Sequence, residues 1–175
     1  PLVIPAISAL LVAILGFIFA RWNSDRNKRL ERRAAIHDMR IQEAREYVDT
    51  WLQMIQAIRE FHTILLGEPE LIVSRMKTHK KKYSHLAGGI VESIQKKRAS
   101  ISILDDPELG RLNKELSSLM YPKIVSQVEV INKFILENTY AIEDNKIKAL
   151  EVPIEADRLI VQMKLRLDKL AEKVP

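Results

Sequence analysis

Residues 41–65 read IQEAREYVDTWLQMIQAIREFHTIL. Ile41, Ala44, Val48, Trp51, Ile55, Ile58, His62 and Leu65 recur in alternating steps of three and four. That is the period of an α-helix with one apolar seam, as in a coiled coil. Tyr47, Leu52, Met54, Phe61 and Leu66 lie off the seam, so the apolar face is wide. A wide face suits packing inside the chain's own bundle as well as self-association. No Pro or Gly interrupts the chain between Gly16 and Gly67.

Traced backward without a phase shift, the register lands on Leu30, Ala34 and His37, then on Asn23 and Asn27. Further back it meets Ala6, Ala9, Ala13, Gly16 and Ala20, which are the small residues of an apolar run. Small residues let helices approach closely, and polar residues within a seam fix register and copy number. The seam predicted for assembly therefore comprises Ala9, Ala13, Gly16, Ala20, Asn23, Asn27, Ile41, Val48, Trp51 and Ile55. A helix of about 60 residues would be roughly 90 Å long.

The run itself, Leu2–Ala20, reads LVIPAISALLVAILGFIFA and carries no charge. It covers roughly 28 Å as a helix, close to the apolar thickness of a bilayer. The sequence thus predicts a single-pass transmembrane anchor. A cleaved signal peptide fits less well, because no basic segment precedes the run, and a buried core helix is the third reading. Arg21, Arg26, Lys28, Arg29, Arg32 and Arg33 follow at once, against Asp25 and Glu31. Positive flanking charge predicts an N-terminus outside, a cytoplasmic C-terminal domain and a bacterial inner membrane. Arg21, Trp22, Arg26, Lys28 and Arg29 would then meet lipid headgroups.

After residue 66 the pattern stays helical. Gly67-Glu68-Pro69 offers a capping glycine and a breaker. A second helix is expected over about 70–104, weakened at Gly88-Gly89. Asp105-Asp106-Pro107-Glu108 places a capping acid before a proline at the first helical position. The third helix uses Leu109, Leu112, Leu116, Leu119, Ile124, Val128, Ile131 and Ile135, and Pro122 should kink or divide it. Residues 138–145 read as a turn, and a final helix starts near Pro153 with Leu159, Ile160, Met163, Leu167, Leu170 and Val174. The predicted fold is all-α: a single N-terminal transmembrane helix (1–21), a long amphipathic coiled-coil-like helix (22–66) and an up-and-down cytoplasmic helical bundle (67–175).

Little in the chain reads as chemistry. Its 175 residues contain no cysteine, which removes disulfides, thiolate metal sites and cysteine nucleophiles together. His37, His62, His79 and His85 form no zinc-type spacing, and no phosphate-binding glycine loop is present. No enzyme activity and no cofactor is expected. The net charge of +5 gathers in part at Arg75, Lys77, Lys80, Lys81, Lys82, Lys96, Lys97 and Arg98. That patch reads as a solvated or lipid-facing surface, or as a site for an anionic ligand such as a nucleotide or nucleic acid.

The expected function is a membrane-anchored, non-enzymatic scaffold. It self-associates as a parallel homo-oligomer and recruits or positions a protein partner beside the lipid bilayer. The alternative is a ligand-gated membrane effector, built like those of bacterial defence, that senses an anionic signal through the basic domain. The outline also resembles stalk subunits of rotary ATPases, but the breaks at Pro69, Pro107, Pro122 and Pro153 depart from a single long stalk.

Overall fold

The computed structural model describes residues 3–68, 72, 74, 75, 78, 88, 89, 91–136 and 142–172, with the backbone alone for 3–14 and 134–136. Five helices have bounds among them: α1 (Val3–Leu65), α2 (Ala99–Ile103), α3 (Pro107–Leu136), α4 (Asp144–Ala149) and α5 (Ile154–Ala171). Residues 91–97 are also helical and lead through a turn at Arg98 into α2. The described residues contain no strand, as the sequence predicts.

Contacts divide the chain into two compact units, one reaching Met39 and the other running from Arg40 to Glu172. In the second unit, the 41–65 seam forms the centre of the core. Ile41, Ala44, Val48, Trp51, Ile55, Ile58 and Leu65 are buried, and His62 is half-buried. Tyr47, Met54 and Phe61 are buried too, so α1 turns a broad face inward here. It meets Leu109, Leu112, Leu116, Met120, Ile124 and Ile131 of α3, and Ala156, Ile160, Met163 and Leu167 of α5.

Side-chain pairs fix the helix directions. Tyr47 Oη donates to Asn113 Oδ1 at 2.8 Å, and Trp51 lies edge-on to Tyr121 with ring centroids 6.0 Å apart. Both sequence numbers rise together, so α3 runs parallel to this part of α1. Arg45 pairs with Asp168, Lys164 with Asp49, and Arg59 with Asp157 through two hydrogen bonds. Those numbers run in opposite senses, so α5 is antiparallel. Lys97 reaches Glu46 at 3.0 Å, which brings the 91–97 segment back beside α1. An up-and-down arrangement results.

The junctions follow local chemistry. Asp106 Oδ1 accepts the Leu109 N–H at 2.8 Å, and Pro107 occupies the first position of α3. Just before it, Asp105 has φ 49°, a left-handed conformation that Asp tolerates better than most residues. At the end of α1, Leu66 N–H bonds His62 O and Gly67 N–H bonds Ile64 O, each at 3.1 Å. Gly67 has no positive φ, so it does not act as a left-handed cap. Pro122 lies inside α3 without dividing it, on an exposed part of the helix surface. The expected turn over 138–145 is cut short, because α4 starts at Asp144; residues 137–141 lie outside the described residues.

The transmembrane anchor is not upheld. Among the described residues, no helix is long and apolar enough to cross a membrane. A span needs about 20 consecutive apolar residues. From Arg21 onward α1 is charged, so no apolar span continues past Ala20. The single-pass topology, the outside N-terminus, the cytoplasmic placement of the bundle and the bacterial inner membrane all rested on that anchor. So did headgroup contact by Arg21, Trp22, Arg26, Lys28 and Arg29. These assignments fall with it.

Candidate assembly face

The unit that reaches Met39 differs from the bundle in what it exposes. Leu15, Phe17, Ile18, Phe19 and Trp22 are each more than half exposed, and Leu30, Ile36 and Met39 are exposed as well. At about 100° per residue, Leu15, Ile18, Phe19, Trp22, Leu30 and Ile36 fall within one face of α1. Phe19 and Trp22 pack ring to ring at 6.1 Å, and the Arg26 guanidinium lies 5.7 Å from the Trp22 ring centroid. That cation–π contact gives the apolar stripe a basic lower edge.

The expected seam residues separate into three groups. Ile41, Val48, Trp51 and Ile55 are fully committed to the chain's own core. Gly16, Ala20, Asn23 and Asn27 lie on α1 and are exposed, about a third of a turn from the bulky stripe. The side chains of Ala9 and Ala13 lie outside the described residues. The bulky stripe itself was missed by the sequence reading. Its signal was there, in large apolar residues at positions 15, 18, 19 and 22, but their bulk was attributed to a membrane span.

The basic patch is only partly placed. Lys77, Lys80, Lys81 and Lys82 lie outside the described residues, as do His79 and His85. Arg75 and Arg98 are exposed. Lys96 is paired with Glu92 at 2.6 Å, and Lys97 with Glu46 at 3.0 Å. The Lys96 ammonium holds the Glu92 carboxyl below its usual range by hydrogen bonding and charge. Two of the described cations thus have carboxylates within the chain. His37 and His62 are half-buried, and the described residues contain no group of three His, Asp or Glu able to hold a metal ion.

One buried polar feature lies apart from these. Burial pushes the Tyr47 hydroxyl above its ordinary pKa. The Trp51 indole N–H and the Gln127 amide nitrogen are buried without a hydrogen-bond partner. No protein-family model matches this chain, and neither a curated protein nor a solved structure is similar to it.

Proposed function

We propose that the chain is a non-enzymatic assembly protein that self-associates through the exposed stripe of α1 and so positions a partner. The observation that carries this reading is the contrast along one helix. Residues 41–65 bury nearly every apolar side chain, whereas Leu15, Ile18, Phe19 and Trp22 present theirs to solvent. Contiguous apolar surface of this kind marks an interaction site, because burying it in a partner removes it from water. Parallel copies align the stripe with itself, so each apolar side chain meets its counterpart at the same height.

Charge separates self-association from an acidic partner. Arg21, Arg26, Lys28, Arg29, Arg32 and Arg33 are brought close to their own copies, so salt should strengthen assembly by screening the repulsion. Binding to an acidic partner would weaken instead. The test is the mass of the full chain by light scattering at low and high salt, with and without a mild non-ionic detergent. The expected result is an oligomer favoured by salt that Phe19→Ser with Trp22→Ser reduces to a monomer. A wild-type chain that is monomeric in every condition rules the reading out.

A further inference from the structure

The helix α5 carries apolar side chains on two faces. Ala156, Ile160, Met163 and Leu167 turn into the core of the Arg40–Glu172 unit. Roughly opposite them, Ile154, Val161 and Leu165 are each more than half exposed. At about 100° per residue these side chains leave the helix within about 40° of one another. Single exposed apolar residues are ordinary on a protein surface. These recur at steps of seven and four, the spacing of a coiled-coil seam. Arg158 and Asp168, both exposed, fill in the same seam, and Glu172 extends it.

The order of residues along the seam says what covers it. Lay a second copy of α5 antiparallel, about a twofold axis level with the midpoint between Val161 and Leu165. Val161 of each copy then faces Leu165 of the other, and Arg158 of each faces Asp168 of the other. At the ends, Ile154 lies over the aliphatic stem of Glu172. Beside the seam, Glu155 of one copy falls near Lys169 of the other. A parallel pair would instead set Arg158 on Arg158 and Asp168 on Asp168, which like-charge repulsion disfavours. Asp168 Oδ1 is hydrogen-bonded by Arg45 at 2.8 Å, and the side chain remains 60 % exposed, with room for a second cation. Lys164 approaches its own counterpart beside the axis, but its ammonium is held 2.7 Å from Asp49 of the same chain.

We propose that the outer face of α5 docks a second copy of the chain, antiparallel about a twofold axis. Ile154, Val161 and Leu165 provide the attraction, and the two Arg158–Asp168 layers set direction and register. Solvent answers these charges in the separate copies, so they choose among pairings rather than drive one. The face lies wholly within the bundle and does not depend on the α1 stripe. It is narrow, so copies pair weakly and the dilute chain stays apart.

Sedimentation equilibrium up to millimolar concentration tests this on the full chain carrying Phe19→Ser and Trp22→Ser, which silence the α1 stripe. The mass should rise from monomer towards dimer and no further. Arg158→Asp or Asp168→Arg, added singly to that parent, should weaken dimerisation by about tenfold or more, because each places like charges in both layers. An equimolar mixture of the two variants puts opposite charges back into both layers and should dimerise as the parent does. Recovery in the mixture also shows that each variant is folded. A parent that stays monomeric overturns the proposal, as does a single variant that dimerises like the parent, or a mixture that fails to recover. None of these outcomes bears on the salt-favoured oligomer of the chain with its stripe intact.

Discussion

Asp106 and Arg166 hold the start of α3 to the later part of α5. The guanidinium Nε donates to both carboxylate oxygens, at 3.0 and 3.1 Å, and Nη2 donates to Oδ2. Asp106 Oδ1 also accepts the Leu109 N–H, so one side chain begins a helix and anchors another. Hydrogen bonding to Asp106 raises the Arg166 pKa above its already high ordinary value, and the guanidinium stays charged throughout the accessible range. Asp106→Ala should therefore cost the cap, about 1 kcal/mol, together with the tie to α5. Asp106→Asn keeps a capping oxygen and should lose less. Urea unfolding of the two variants gives the ranking, and equal losses would mean that the cap contributes nothing.

Tyr47 predicts an alkaline limit to stability. Burial raises its pKa above the ordinary 10.0, so the folded state holds the phenolic proton more tightly than the unfolded state. Below pH 10 both states are protonated, and the contribution of Tyr47 is fully present. As pH rises past 10 the unfolded chain ionises first, and the contribution is lost progressively towards the raised folded-state pKa. Thermal midpoints between pH 8 and 11 should fall more steeply for the wild type than for Tyr47→Phe. Parallel curves would show that Tyr47 titrates alike in both states.

Trp51 combines full burial with an unpaired indole N–H. Trp51→Ala should cost about 3–5 kcal/mol, the range for removing a large aromatic from a core. Trp51→Phe should cost far less, because it removes the unsatisfied donor along with part of the ring. Trp22 is the other tryptophan and is exposed, so Trp51→Phe should also shift the emission towards that of a solvated indole. Equal losses in the two variants would mean that the N–H has a partner.

Pro122 and Gly88 are points where the helices can be strengthened. Pro122 lies within α3, where its ring crowds the preceding turn and one backbone donor is missing. Pro122→Ala should raise stability by about 1–3 kcal/mol. A methyl group added at Gly88 would meet nothing within 4 Å, so Gly88→Ala should gain about 0.5–1 kcal/mol. Denaturant midpoints measure both, and a fall in either would show that the native residue makes a contact its replacement cannot.

The all-helical fold was legible because its signals are local. The three–four spacing of Ile41–Leu65 marked the buried face, and Asp106-Pro107 marked the start of α3. Periodicity could not say whether Val48 and Trp51 would face another chain or their own, since both kinds of packing use the same spacing. The extra burial of Tyr47, Met54 and Phe61 accompanies packing within the chain. Hydropathy misplaced the first third of α1, because a bulky apolar stripe and a membrane span share a composition. The partners of Asp106 and Tyr47 lay 60 and 66 residues away, beyond any local pattern.

The charges between α1 and α5 act as a vernier. Along α1 they run Arg45, Asp49, Arg59; along α5 their partners run Asp168, Lys164, Asp157. Slide α5 by one turn in one direction and Arg45 faces Lys164; slide it in the other and Asp49 faces Asp168. Such exposed pairs add little to stability. Their value lies in the alignments they forbid, since apolar knobs one turn apart are near equivalents and would tolerate the slip. The smooth core holds the helices together, and the alternating signs on its rim decide where along one another they stop.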